Sequence, residues 1–331
     1  MPRMDELKPE TLLARVLMIG PAKIGKTHWI TEAAKAGFRI LYLDGDVSKQ
    51  TIVSAAPQHL ANIYYMDCHD SLAQPRFGRI VSHLITEKTA VWNDTEQRLY
   101  LRGLKVNPNA EYWEVSLAAL DSSWIVVIDS WTALAWSWKR DWAVDEGIDL
   151  ASLNLGADSR PMYGSTNVTA SATLAMIGCL PCHLVVIAHQ DEFVKYKNKP
   201  GKVKDAQKDQ EILWSRMIPV SVSKPHGMQL CKHFSDVLWM DVDAMGRRMV
   251  DGSVSGDREG GSRFNGRKLS TEYSFANLVT QMGGSLPASP TEAGIHICKP
   301  GEFQSVPGGN KVIDAQAAKA NTNTLAGLIK K

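Results

Sequence analysis

The chain has 331 residues, 44% of them hydrophobic and 22% charged, with a formal net charge of +2. That is room for one large α/β domain with appendages, and the even charge balance excludes any argument for a polyanion partner that does not rest on a local cluster. No apolar run approaches the length of a membrane span, and the opening MPRMDELKPETLL lacks the apolar core of a signal peptide, so the reading is a protein of the cytoplasm, with no membrane among its partners.

Residues 1–15 read as a lead-in helix. Residues 16–30, VLMIGPAKIGKTHWI, read as an apolar strand, a glycine-bounded loop and the start of a helix. Within them Gly20, Pro21, Ala22, Lys23, Ile24, Gly25, Lys26 and Thr27 fit G-x-x-x-x-G-K-[ST], the phosphate-binding loop of nucleotide hydrolases. Gly20 and Gly25 leave no Cβ in the way of a phosphate. The loop N–H groups and the helix N-terminus face the anion. Lys26 reaches the β- and γ-phosphates of ATP, and the Thr27 hydroxyl holds Mg²⁺. Such a pattern arises by accident in roughly one chain in a hundred of this length.

A helix over 27–36 stops at Gly37, and the strand 38–43 (FRILYL) ends in Asp44-Gly45-Asp46. A short strand at 62–66, a helix at 76–85, a β-hairpin about Asn93-Asp94 and a helix over 111–120 follow by pattern. The apolar run 124–130 (WIVVIDS) is a buried strand closed by Asp129. It leads into a helix over 131–142 whose Trp131, Trp138 and Trp142 share one face, the pattern of a core or subunit contact. A helix around 167–177 precedes the strand 183–189 (HLVVIAH). Between them, Cys179 and Cys182 have redox spacing but the strand follows the pair instead of preceding it, so they read as structural; the five scattered cysteines suit a reducing compartment. Apolar runs without alternation, separated by helices, indicate a mostly parallel central sheet with helices on both faces.

Beyond Gln190 the run 195–208 (KYKNKPGKVKDAQK) carries six lysines against one aspartate and reads as a mobile loop. Strands are expected within 227–242 and 247–254, followed by a Gly/Arg-rich stretch to Lys268. From 283 the chain is rich in Gly, Pro, Ser, Asn and Ala and reads as a poorly ordered tail; its closing LAGLIKK is a docking peptide or a frayed end. The domain reading is therefore a lead-in at 1–15, a core at 16–282 and a tail at 283–331.

Three strand ends converge on the phosphate loop, where ligands of parallel sheets bind. Asp129 is the natural carboxylate of the Mg²⁺ site. Ser130 follows it, so the water-activating acid is not its neighbour; Asp46 is the first candidate and Asp44 the second. The pair His189-Gln190 either senses the γ-phosphate or simply caps its strand.

The order of phosphate loop, LYLDGD, IVVIDSWTAL and VVIAHQ, then a basic loop, resembles the RecA-like P-loop ATPases, and more narrowly the phage-encoded members associated with single-strand annealing and recombination. The resemblance covers residues 12–280. It implies a RecA-like core that binds and hydrolyses ATP with Mg²⁺ as a homo-oligomer on single-stranded DNA, in phage-type recombination or replication. It makes Asp46 the water-activating acid, Gln190 the sensor, and Lys195, Tyr196, Lys197, Lys199, Lys202 and Lys204 the DNA contacts, with Phe193 and Tyr196 available for stacking. Arg263, Arg267 or Lys268, or else Arg247 or Arg248, would be the basic residue given to a neighbouring subunit. The tail is a candidate contact for recombination or replication proteins. Asp46 is one methylene shorter than the glutamate of recombinases, which implies slow turnover. The rival readings are an ATP-gated assembly scaffold without catalysis, and a helicase or packaging motor; Asp129-Ser130 speaks against motors that use Asp-Glu.

Overall fold

A computed structural model describes residues 12–71, 75–87, 89–93, 98–100, 111–148, 160–196, 212–253, 258, 261–263, 266–288 and 294–299. The first half runs β1 (Arg15–Ile19), α1 (Lys26–Thr31), β2 (Arg39–Asp44), α2 (Lys49–Ala55), β3 (Ile63–Asp67), α3 (Phe77–Thr86), β4 (Ala90–Asn93), β5 (Arg98–Tyr100) and β6 (Tyr112–Val115). Next come β7 (Trp124–Asp129), α4 (Trp131–Asp145), α5 (Arg160–Gly178), β8 (His183–Ala188), β9 (Gln190–Tyr196) and β10 (Ile212–Pro219). The described chain closes with α6 (Lys224–Leu230), β11 (Asp236–Val242), β12 (Arg248–Asp251), β13 (Arg267–Leu269), α7 (Phe275–Gln281) and β14 (Ile295–Cys298).

This is an α/β protein built on an eight-stranded, mostly parallel sheet in the order β13-β12-β11-β1-β8-β7-β2-β3. The strands from β11 to β3 are parallel, and β12 and β13 extend the edge antiparallel. Successive strand residues point to opposite faces. Leu17, Leu41, Val126 and Val186 pack under α3, α4 and α5, whereas Val16, Ile40, Val127 and Val185 pack under α1 and α7. Burial on both faces is why these strands read as unbroken apolar runs. Trp131 and Trp138 of α4 meet edge to face at 5.3 Å in the first layer, both buried. Cutting such a tryptophan to alanine costs roughly 3–5 kcal/mol.

A second, antiparallel sheet, β14-β6-β4-β5, corrects two expectations. Residues 112–115 form a strand where a helix was expected, because the strand is paired on both sides, by β4 and by β14, and is buried at both ends, at Tyr112 and Val115. The outer partner is the other correction: β14 lies beyond 283, so residues 294–299 are part of the fold and not of a poorly ordered tail. The strand expected from 227 begins only at Asp236; Gly227 belongs to α6, capped by Ser223 with Pro225 in its first turn. The basic run is likewise no simple loop at its start, since Lys195 and Tyr196 lie in β9, which forms a hairpin with β10. Lys197, Lys199, Lys202, Lys204, residues 1–11 of the expected lead-in and residues 289–293 and 300–331 of the expected tail lie outside the described residues. Among the described residues no helix is long and apolar enough to cross a membrane.

Candidate active site

The sheet register brings the carboxyl ends of four strands to one edge. Ile19 of β1 pairs with Ala188 of β8, Asp129 of β7 with Ile187 of β8, and Asp44 of β2 with Asp129. The glycine-bounded loop leaves β1 at this edge. A Cβ on Gly20 would lie 2.5 Å from the Met240 carbonyl oxygen, so only glycine fits there. Gly25 has φ 107°, a left-handed conformation that lets the loop turn into α1. The Lys26 ammonium is buried and donates to the carbonyls of Gly20 at 2.8 Å and Pro21 at 2.5 Å. Burial lowers its pKa to about 8, against the pull of the Asp129 and Asp46 charges.

Asp129 collects hydroxyls. Thr27 Oγ1 donates to its Oδ2 at 3.0 Å, Ser48 Oγ at 2.8 Å, and the buried Tyr42 hydroxyl donates as well. Burial pushes the Asp129 carboxyl above its ordinary pKa even so. The next residue, Ser130, caps α4 by accepting from the Ala133 N–H at 3.1 Å.

The two aspartates of the turn that closes β2 stand in different surroundings. Asp44 is wholly buried and accepts from the Asp46 N–H (2.9 Å), the Ser48 N–H (2.5 Å) and the Tyr65 hydroxyl (2.8 Å). It holds the turn together, and burial pushes its pKa up to about 6. Asp46 is partly exposed and stands 3.0 Å from His189 Nε2. Burial works against its ionisation, but hydrogen bonds with His189 and Ser130, with the charges of His189 and Lys26, hold its pKa below the ordinary value. The His189 backbone N–H in turn donates to Thr132 Oγ1 of α4 at 3.0 Å.

Compared with models of protein families and with curated proteins, the chain matches none. The reading of this edge therefore rests on its geometry. Among the described residues no three His, Cys, Asp or Glu side chains cluster to hold a metal. A phosphate-linked Mg²⁺ needs fewer protein ligands, because phosphate oxygens and waters complete its octahedron. Thr27 and Asp129, in contact at 3.0 Å, are the residues that could hold such an ion.

Of the residues singled out in the sequence, Lys26, Thr27, Asp46 and Asp129 come together here. Gln190 does not: it opens β9 opposite Pro219, and its neighbour His189 makes the contact with Asp46. Arg263 is tied to the buried Asp236 at 2.8 Å, at the start of β11 and so at the other edge of the sheet. Arg267 donates to the Val242 carbonyl at 3.2 Å, and the Lys268 ammonium stands over the Tyr273 ring at 4.8 Å. The basic residue beside the loop is Arg248, whose Cδ and Nε lie 2.8 Å from where a Gly25 Cβ would be. Its guanidinium has no hydrogen-bond or ion-pair partner among the described residues. Sequence spacing offered it only as one of several basic residues. The pair Cys179 and Cys182 holds two free thiols, one exposed and one buried, and burial pushes Cys182 up to about 12, the reverse of a reactive thiol.

Proposed function

We propose that this chain is an ATP-binding and ATP-hydrolysing protein with a RecA-like core, acting on single-stranded DNA in phage-type recombination or replication, as a homo-oligomer in the cytoplasm. The observation that carries the reading is the 3.0 Å contact between Thr27 Oγ1 and Asp129 Oδ2, beside a G-x-x-x-x-G-K-T loop at the carboxyl edge of a parallel sheet.

The roles follow from charge and position. The loop N–H groups and Lys26 hold the phosphates, and Lys26 leaves its own carbonyl partners to do so. Thr27 and Asp129 are the residues to hold Mg²⁺, which when bound neutralises charge on the phosphates. Asp46 stays ionised and orients a water, with His189 steadying the carboxylate. To Arg248, beside Gly25, falls the stabilisation of charge on the transferred phosphoryl group from within the same chain. The link to DNA runs through β9, which starts one residue after His189 and carries Lys195 and Tyr196, the first of the basic run in sequence. Supporting this, Phe193 and Trp214 meet edge to face at 5.3 Å across the hairpin, offering aromatic surface beside positive charge.

The test is Mg²⁺-dependent ATP turnover, with and without a single-stranded oligonucleotide, in the parent and in Lys26→Ala. Turnover that needs Lys26 and rises with the oligonucleotide supports the reading. Turnover unaffected by Lys26→Ala excludes this loop as the site.

A further inference from the structure

Away from that edge, α4, α5 and the segment joining β10 to α6 enclose an open cavity of about 440 Å³. Its walls include Trp136, Lys139, Tyr163, Ser221, Ser223 and Lys224. Lys139 is only 8% exposed, and its ammonium has no hydrogen-bond or ion-pair partner among the described residues. It stands over two rings instead, 4.6 Å from the centre of Trp136 and 5.2 Å from that of Tyr163. Both rings keep large exposed surfaces, 50% for Trp136 and 38% for Tyr163.

The Lys139 side chain is mostly covered while its ammonium reaches the cavity, and among the described residues only ring faces stand against the charge, which return part of what desolvation takes away. A lysine kept there for packing alone would be better as methionine. Facing a cavity, it is a ready partner for an anion. The cavity is in the size range of small-molecule sites, and its cations suit a phosphate, the Lys139 ammonium and at the rim that of Lys224, while the Ser221 and Ser223 hydroxyls are engaged by Trp131, His226 and Asn167. Lys224 is partly satisfied by the Glu192 carbonyl at 3.1 Å and by Asp191 at 3.5 Å, so among the described residues Lys139 is the wall cation without a hydrogen-bond or ion-pair partner. The exposed rings beside it suit the flat face of an unpaired base.

We infer that this cavity is a subsite for one nucleotide of a single strand, with the phosphate on Lys139 and the base against Trp136 and Tyr163. The inference rests on the single-strand half of the proposed function and adds a site outside the β9–β10 hairpin. The two are neighbours, since Lys224 on the rim donates to Glu192 of β9. The subsite also has a path to the phosphate edge. Trp131, two residues after Asp129, donates from Nε1 to Ser221 Oγ at 2.8 Å, and Ser221 lines the cavity.

The experiment uses the full chain and a fluorescein-labelled oligothymidylate, with Lys139→Met and Trp136→Ala compared to the parent by anisotropy across a salt series. The expected result is a loss of affinity of about tenfold or more in each variant, and a log–log salt slope flatter by about 0.7 for Lys139→Met alone. Lys139→Met keeps the apolar stem and is expected to stay folded, which thermal unfolding checks. Trp136→Ala, altered at a half-exposed side chain, keeps the test valid independently of that variant. Variants that bind the oligonucleotide like the parent, with the parent's slope, overturn the subsite and leave the ATPase reading intact. A parent that binds no oligonucleotide overturns the subsite and the DNA half of the reading together, while ATP turnover is scored separately. Loss of binding to polyglutamate with oligonucleotide affinity unchanged also overturns it, in favour of an acidic protein partner.

Discussion

Thr27 Oγ1 donates to Asp129 Oδ2 at 3.0 Å across 102 residues of sequence. The sheet order makes the meeting possible, because β1 and β7 flank β8 and end at the same edge. Asp129 is 3% exposed and also accepts from Tyr42 and Ser48, so a wholly apolar pocket is not what holds it. Asp129→Asn is expected to weaken Mg²⁺-dependent binding of a fluorescent ATP analogue by tenfold or more, with a smaller change when the metal is chelated. Equal losses with and without Mg²⁺ would assign Asp129 a structural role only.

The two aspartates of the D-G-D turn separate chemistry from support. Asp46→Asn is expected to slow ATP turnover by about a hundredfold or more while nucleotide binding persists, with stability changed by less than about 1 kcal/mol because the His189 pair is partly exposed. Asp44→Asn places an amide against buried donors and is expected to destabilise the fold by roughly 1–3 kcal/mol. Chemical denaturation and steady-state turnover on both variants check the assignment. The opposite pattern, turnover lost through Asp44 with the fold intact, would exchange their roles.

Arg248 makes a sharper demand, since it lies beside Gly25 of the glycine-bounded loop within one chain. Arg248→Ala is expected to lower kcat by about tenfold or more, with a smaller effect on KM, and Arg248→Lys is expected to restore part of the loss. An unchanged kcat would leave the neighbouring subunit as the source of the positive charge.

What the sequence made legible, and what it hid, has a physical pattern. β1, β2, β7 and β8 were readable because both their faces are buried, which leaves an unbroken apolar run. That Lys26, Thr27 and Asp129 come together was legible, because the G-x-x-x-x-G-K-T spacing opens α1 directly after β1 and Asp129 closes a neighbouring parallel strand. The β6 strand was hidden because its outer partner, β14, comes from residues near 297, and pairing of that range overrides local helical pattern. Arg248 was hidden because its nearness to Gly25 depends on the hairpin of β11 and β12 at the sheet edge. α6 was within reach of the sequence: Ser223 before Lys224-Pro225 is a helix start, and the apolar residues beyond it drew the eye toward a strand.

His183, at the start of β8, carries a pH prediction for the fold. It is 1% exposed, accepts the Ala14 N–H at Nδ1 (2.9 Å) and sits edge-on to Phe38 and Phe275. Burial, helped by Arg15, lowers its pKa from 6.5 to about 4. Between those values the unfolded chain binds the proton and the folded chain does not, so His183 favours the fold fully above pH 6.5 and loses that contribution as pH falls toward 4. The shift corresponds to about 3 kcal/mol. Urea midpoints of parent and His183→Gln across this range are expected to converge as the pH falls; parallel curves would remove His183 from the acid sensitivity.

The measurement that bears most directly on the whole account is ATP turnover by the parent protein with Mg²⁺, with chelator in place of Mg²⁺, and with single-stranded oligonucleotide added, each repeated for Lys26→Ala. The account predicts slow turnover that requires Mg²⁺, rises with the oligonucleotide and falls to background in Lys26→Ala, whose fold stays intact. ATP that neither binds nor turns over in the parent, or turnover that survives Lys26→Ala, would contradict it.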